Sequence, residues 1–208
     1  MLIIIICVIC VPLHFGLIFC PLPYPFMLNG IIWVVTISYP FLVWFSLDYI
    51  QPRYLALALA GLFLLRFLYR HPSLPRGGAW SLALMACPLF LLVIALVNET
   101  QWLLAYPVFV SLVFFTVFAS SLAYPPTVVE RLARLEDPGL PPKGVIYTRK
   151  VTQVWCVFFL ANASISLFTI WHGDPWLWSL YNGGIFYVLM GLLMAAEMTV
   201  RRKVKASY

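Results

Sequence analysis

The sequence predicts an all-α fold: a polytopic transmembrane helix bundle with six core spans and a possible extra N-terminal span. Of its 208 residues, 63% are hydrophobic and only 10% are charged. Soluble domains are usually about 45–50% apolar and about 25% charged. A soluble fold of this length could not bury so much apolar surface, so lipid is expected to surround much of it. The chain also contains seven apolar segments near the length of a membrane span, at 2–20, 31–47, 54–68, 79–97, 102–122, 151–171 and 177–200.

The N-terminal segment leaves the number of spans open. No basic residue precedes its apolar run, so it is a poor signal peptide, and Pro21, Pro23 and Pro25 favour a break after it. If the segment is a span, there are seven spans and the N-terminus lies outside. If translation begins at Met27, there are six spans and both ends lie inside. The domain prediction is therefore an apolar extension at 1–26 and a transmembrane bundle at 27–208.

The distribution of charge predicts the orientation of the bundle. Thirteen Lys and Arg against seven Asp and Glu give a net charge of +6. The bases concentrate in the loop at 123–150 and in the C-terminal tail, whereas 98–101 and 172–174 have none. Because basic loops remain in the cytoplasm, the C-terminus is expected there. Four tryptophans are then expected at the outer interface, namely Trp102, Trp171, Trp176 and Trp178.

The loop at 123–150 is predicted to contain a short amphipathic helix on the inner membrane surface. Thr127 and Glu130 match a capping box, in which each side chain satisfies a backbone amide at the helix start. A phosphate, a lipid head group or an acidic protein could bind the basic residues around this helix. The alternative is that topology alone requires these bases and that Glu130 and Glu136 pair with arginines. The candidate contacts are Arg131, Arg134, Lys143, Arg149 and Lys150. Nucleic acid is not an expected partner, since no folded domain presents these bases.

Four polar residues within or near the last two segments are candidate intramembrane contacts. Polar groups in lipid usually face another helix or a cavity. Gln153 and Asn162 are nine residues apart and point to roughly opposite helix faces. Glu197 precedes Arg201 by four residues, which favours a helix surface pair over a proton-relay acid. The candidates are Gln153, Asn162, Asn182 and Glu197.

No residue pattern predicts a catalytic residue, a metal site or a cofactor. The five cysteines lie in apolar stretches without zinc-ligand spacing and are expected to be core residues. Asp48, Glu99, His172 and Asp174 could converge on the outer side, but their spacing does not require it. A non-enzymatic role is favoured, with an integral-membrane transferase acting on a lipid or acyl intermediate as the alternative.

The C-terminal half carries a resemblance to a known family. The matching residues are densest at 125–204 and include the run Tyr-Thr-Arg-Lys-Val-Thr-Gln-Val-Trp-Cys at 147–156. In these residues the chain resembles an uncharacterised family of bacterial inner-membrane proteins encoded in aryl-polyene (xanthomonadin-type) biosynthetic clusters. The resemblance implies a bacterial inner membrane and a role beside a fatty-acid-like biosynthetic pathway, and it supplies no mechanism. Within that setting, the expected function is an accessory one: anchoring the pathway or exporting its lipid-like product. Membrane lipids and an acidic acyl carrier protein are the partners it implies, the latter attracted by the basic loop.

Overall fold

The computed structural model describes residues 41, 43–45, 49–68 and 79–205, with side chains described outside 62–68 and 79–84. These residues form helices without strands, as the fold class predicts. The predicted segment 2–20 and most of 31–47 lie outside the described residues. The elements in chain order are α1 (Pro52–Leu68), α2 (Ala79–Val97), α3 (Thr100–Leu104), α4 (Tyr106–Ala123), α5 (Val128–Glu136), α6 (Pro142–His172), α7 (Pro175–Leu180), a π-helical turn (Tyr181–Ile185) and α8 (Phe186–Lys205).

Three helical stretches in the described part of the chain are long and apolar enough to cross a membrane. They are α4, α6 and the continuous stretch Pro175–Lys205, which contains α7, the π turn and α8. A shorter apolar stretch, Met85–Val97, lies within α2. The all-α class is confirmed, whereas the counts of six or seven spans remain predictions.

Helices α1 and α2 pack against each other as an antiparallel pair. The backbone N–H of Arg53, at the start of α1, donates to Asn98 Oδ1 at 3.0 Å, just beyond the end of α2. Asn98 has a φ of 57°, a left-handed conformation that asparagine tolerates better than most residues. The junction therefore uses the Asn98 side chain to supply an acceptor for an amide that lacks one within its own helix.

Prolines affect the described helices in two different ways. Pro88 lies inside α2, where a proline removes a backbone donor and can kink the helix. Pro107 lies within the apolar segment 102–122 but does not interrupt a helix, because it is in the first turn of α4, after the short helix α3 and the turn at Ala105. A missing N–H costs nothing in a first turn, because that amide has no partner within the helix.

The main packing interface lies between α4 and α6. Phe114 and Phe118 of α4, one turn apart, both contact Phe159 of α6, with ring centroids 5.3 and 5.2 Å apart. Trp155, one turn before Phe159, extends the same cluster. In lipid, where solvent does not drive helices together, such close packing is a main source of association.

The C-terminal span contacts a residue near the start of the described chain. Helix α6 ends at His172, and the next residue, Gly173, has a φ of 79° that suits glycine. The Asp174 side chain then caps α7 by accepting a hydrogen bond from the Trp176 N–H at 2.9 Å. In the π turn, a Cβ added to Gly183 would lie 2.7 Å from Cε2 of Phe41, closer than carbon atoms can approach. Gly183 therefore permits the close approach of the Phe41 ring.

We predict that Gly183→Ala lowers stability by about 1 kcal/mol relative to Gly184→Ala, because the Phe41 ring must move. Gly184 is a matched control, since a Cβ there meets no atom within 4 Å. Both variants replace glycine in the same helical turn, so backbone effects largely cancel. Thermal unfolding of the purified protein in detergent measures the difference. Phe41→Ala should remove it, and equal stability of the two variants would contradict the close contact.

Candidate functional site

The predicted amphipathic helix is α5, and its start is fixed by two hydroxyl groups. Thr127 Oγ1 accepts from the Glu130 N–H at 3.3 Å, and Ser121 Oγ, at the end of α4, accepts from the Val128 N–H at 3.1 Å. The other half of the expected capping box is not formed. Instead of reaching back to Thr127, the Glu130 carboxylate pairs with Arg134 at 2.8 Å, an arrangement favoured by their four-residue spacing.

Helix α5 packs on α6, and together with the end of α8 they surround a small, partly open cleft with a cavity volume of about 40 Å³. We call this end of the bundle the basic end. The floor of the cleft is apolar and consists of side chains from all three helices. These are Val129, Leu132, Val151, Trp155 and Met194.

The rim of the cleft carries charged and polar groups from α5, α6 and α8. The Tyr147 hydroxyl lies 3.1 Å from the carbonyl oxygen of Glu197 and 3.3 Å from its Oε1. The Glu136 carboxylate accepts from Arg201 and, at 3.0 Å, from Lys205. The expected Glu197–Arg201 pair does not form as a direct ion pair among the described residues: Arg201 pairs with Glu136, whereas Glu197 accepts from Tyr147. A carboxylate on a neighbouring helix competes successfully with the local four-residue spacing.

The five candidate anion contacts fall into two groups. Arg134 is paired with Glu130, and Arg131 donates from Nε to the Pro126 carbonyl at 3.0 Å while its side chain remains exposed. Lys143, Arg149 and Lys150 are exposed on the first turns of α6 and make no ion pair within the described residues. Of the five candidate contacts, the structure thus leaves four without an ion-pair partner among the described residues and exposed, namely Arg131, Lys143, Arg149 and Lys150.

Asn162 and Asn182 lie in a buried hydrogen-bond network between the spans. Asn162 donates from Nδ2 to Ser111 Oγ on α4 at 2.8 Å, and its Oδ1 accepts from the Tyr181 hydroxyl at 3.0 Å. One turn further along α6, Ser166 donates to Asn182 Oδ1 at 2.7 Å. The network joins α4, α6 and the π turn, so its residues satisfy one another. Nearby, the buried Ser179 hydroxyl has no hydrogen-bond partner among the described residues.

Gln153 differs from the other three intramembrane candidates. Its side chain is exposed, on the face of α6 shared by Arg149, whereas Asn162 is buried on the roughly opposite face. The predicted separation of these two residues is therefore confirmed. The structure brings Asn162 and Asn182 into one network but places Glu197 at the cleft and Gln153 on the outside of the bundle.

The acid and base groups at the opposite end of the bundle do not form a cluster in the described structure. His172 stacks on Phe168 with ring centroids 6.1 Å apart, and Asp174 caps α7. No group of three metal-ligating side chains occurs among the described residues, and Asp48 lies outside them. Of the tryptophans predicted at an interface, Trp102, Trp171 and Trp176 are exposed.

Trp178, the fourth tryptophan predicted at the outer interface, is buried within the protein. Its side chain is only 1% exposed, and its Nε1 donates to the Leu104 carbonyl at 3.0 Å. Leu104 is the last residue of α3, and the turn at Ala105 leaves that carbonyl available. Trp178 is thus a buried link between α7 and α3.

Sequence reasoning did not identify Ser111, Tyr147 or Tyr181. Ser111 and Tyr147 contact residues 51 and 50 positions away, so no local spacing reveals their partners. Tyr181 precedes the candidate residue Asn182, but nothing in its sequence context predicts a π turn. Tyrosine hydroxyls inside a protein usually find a partner, a general signal that could have indicated Tyr147 and Tyr181 but not Ser111.

Comparison of the chain with protein-family models, curated proteins and solved structures found no match. The resemblance to the aryl-polyene family remains a prediction from the residues at 147–156 and their surroundings.

We predict that Asn162→Leu destabilises the protein by about 1–2 kcal/mol, because it leaves the buried Tyr181 hydroxyl without its acceptor. Ser164→Ala is the control. Ser164 is exposed two residues away on the same helix, and among the described residues its hydroxyl bonds only to the Leu160 carbonyl one turn earlier. Its removal should change stability by less than about 0.5 kcal/mol. Unfolding in detergent measures both values, and similar values for the two variants would contradict a network that holds the spans together.

Proposed function

We propose that this protein is an accessory anchor in a bacterial inner membrane, which holds an acidic partner of a fatty-acid-like pathway at its basic end. The partner is an acyl carrier protein of an aryl-polyene-type pathway. In this proposal the spans fix the protein in the bilayer and the basic end faces the cytoplasm. The resemblance at 147–156 supports the choice of pathway, and the three apolar helical stretches support the membrane location.

The docking role rests on one observation: the carboxylates near α5 already have partners within the protein. Glu130 pairs with Arg134, and Glu136 pairs with Arg201 and Lys205. Asp137 accepts from the Gly139 N–H at 3.2 Å. The exposed cations Arg131, Lys143, Arg149 and Lys150 thus have no ion-pair partner within the described residues. A surface of this kind attracts an acidic protein and accelerates its association.

The packing of the spans favours anchoring over export. A passage for a lipid-like product would need polar groups that line an accessible space. The polar side chains between α4, α6 and the π turn are instead buried and bonded to one another, for example Asn162 to Ser111 and Ser166 to Asn182. Such networks hold helices in a fixed arrangement.

We predict that Arg149→Glu/Lys150→Glu weakens binding of the acyl carrier protein at least about tenfold, which corresponds to about 1.4 kcal/mol. Arg202→Glu/Lys203→Glu is the matched control. It reverses two adjacent, exposed bases at the end of α8 and changes the net charge by the same amount. Binding to protein in nanodiscs at low and physiological salt measures the effect. Equal losses in the two variants would indicate attraction by net charge alone, and unchanged binding would overturn the docking surface.

Both double variants reduce the positive charge that orients the spans. A fluorescent or enzymatic reporter fused after residue 208 therefore checks that each variant retains the parental topology before binding is measured.

Deletion of the gene, followed by lipid analysis of each membrane, separates anchoring from export. An anchor predicts that the pathway stalls and that truncated intermediates accumulate, because carrier-bound enzymes are no longer held together. Export predicts finished product trapped in the inner membrane. An unchanged lipid profile would remove the link to the pathway. Complementation with the wild-type gene and with Arg149→Glu/Lys150→Glu tests whether the basic surface is responsible.

A further inference from the structure

One face of α6 is exposed from its first turn to its last. Lys150, Gln153, Val157 and Trp171 are all exposed, and their spacings place them on this face. At about 1.5 Å per residue, the helix from Lys150 to Trp171 spans about 32 Å, close to the roughly 30 Å of a bilayer's hydrocarbon core. A base and a tryptophan separated by such a length are typical of the two interfaces of a membrane. Lys150 and its neighbour Arg149 are therefore expected at the level of the lipid phosphates.

Gln153 is an exposed amide on a helix long and apolar enough to span a membrane, and it makes no hydrogen bond within the described residues. It lies about 4.5 Å further into the bilayer than Lys150. Asn162 and Asn182 differ, since both are buried and bonded to neighbouring side chains. An unpaired amide in an apolar environment is costly in free energy. Because no described side chain supplies a partner, we expect Gln153 to bind a polar group of the surrounding lipid.

The sequence places Gln153 one helical turn deeper in the bilayer than two cations. It follows Arg149 by four residues and Lys150 by three, so it lies between them around the helix. Both bases are exposed and make no ion pair within the described residues. Two cations at the phosphate level, with an amide donor just beneath them, match the order of groups in a glycerophospholipid, whose ester carbonyls lie inside its phosphate. Deeper on α6, Val157 and Leu160 are 69% and 48% exposed and offer apolar surface to acyl chains.

We propose that Arg149, Lys150 and Gln153 bind one anionic glycerophospholipid, such as phosphatidylglycerol. The two cations bind its phosphate through charge-assisted hydrogen bonds. The Gln153 side-chain amide donates to an ester carbonyl of one acyl chain. The acyl chains lie along Val157 and Leu160, on the outer surface of α6, so the lipid stays within the bilayer and enters no cavity of the protein.

A second pair of adjacent exposed bases, at the end of α8, lacks the amide. Arg202 and Lys203 are exposed as Arg149 and Lys150 are. The residue at the position equivalent to Gln153, one turn deeper, is Thr199, whose hydroxyl already donates to the carbonyl oxygen of Ala195 at 2.8 Å. Both pairs attract anionic lipid by charge, but the α6 pair alone of these two has a free donor at the level of the ester carbonyls. The α8 pair is therefore a matched control for the lipid site.

The lipid site shares its two cations with the surface proposed to dock the carrier protein. An anionic lipid bound at Arg149 and Lys150 neutralises the charge that attracts an acidic protein. Lipid and carrier therefore compete, and the anionic lipid content of the membrane regulates docking. This regulation rests on the proposed function, whereas the lipid site itself does not.

The test uses the full-length protein in phosphatidylcholine nanodiscs that contain palmitoyl-oleoyl phosphatidylglycerol or its diether analogue, with native mass spectrometry as the readout. The analogue keeps the phosphate and the charge but lacks ester carbonyls. Wild type should bind the ester lipid at least about threefold more tightly, the size of one hydrogen bond. Gln153→Leu should abolish this preference by weakening the ester lipid alone, whereas the control Thr199→Leu should keep it. Equal binding of the two lipids by wild type, or an unchanged preference in Gln153→Leu, would overturn the proposal.

The charged part of the site is tested with the same two lipids. Arg149→Gln/Lys150→Gln should weaken both at least about tenfold, since each base contributes to phosphate binding. Arg202→Gln/Lys203→Gln removes the same charge and should retain the preference for the ester lipid. Equal losses in the two double variants would indicate attraction by charge alone and would overturn the site.

Carrier binding separates this site from the docking surface. In nanodiscs of phosphatidylcholine alone, Gln153→Leu should bind the carrier as wild type does, because it leaves both cations in place. Added phosphatidylglycerol should weaken carrier binding to wild type more than to Gln153→Leu, and an equal effect on both would overturn the regulation by lipid. A carrier that binds without dependence on Arg149 and Lys150 would overturn the docking surface alone, because the lipid preference is measured in the absence of the carrier.

Discussion

The amide of Asn162 holds together three parts of the bundle. It donates to Ser111 on α4 and accepts from Tyr181 in the π turn, so one side chain uses both of its polar atoms across two interfaces. An amide has no alternative partner in lipid, and this fixes the rotation of α6 about its own axis. The same rotation directs Phe159 toward α4 and places Tyr147, four turns earlier, beside α8. The shape of the cleft therefore depends on the hydrogen bonds of Asn162, which lie well inside the bundle.

The sequence predicted local features well because their causes are local. The bounds of α2 follow from an uninterrupted apolar run, and the start of α5 follows from the hydroxyl of Thr127. The separation of Gln153 from Asn162 follows from helix geometry alone. These features do not depend on a neighbouring helix, and for that reason the structure agrees with the prediction.

The candidate site was predicted less completely, because tertiary partners replaced local ones. Glu197 and Arg201 have the spacing of a helix pair, but each prefers a partner on another helix. Trp178 looks like an interfacial residue until the α3 carbonyl that it binds is known. In each case the residue type indicated a polar contact, but the sequence did not identify the partner. The partners lie about 50–75 positions away, so residue spacing gives no information about them. The roles of a polar side chain in lipid depend on which helix lies opposite.

The π turn has a consequence for how the gene can change over generations. A π turn contains one more residue than the α-helical turn it replaces. Loss of a single codon at Gly183 or Gly184 would restore regular α-helix and rotate α8 by about 100° relative to α7. Tyr181 would keep its place beside α6, while Met194 and Arg201 would turn away from the cleft. The C-terminal span can accept many substitutions on its exposed face, but its length between Trp178 and Met194 is constrained at both ends.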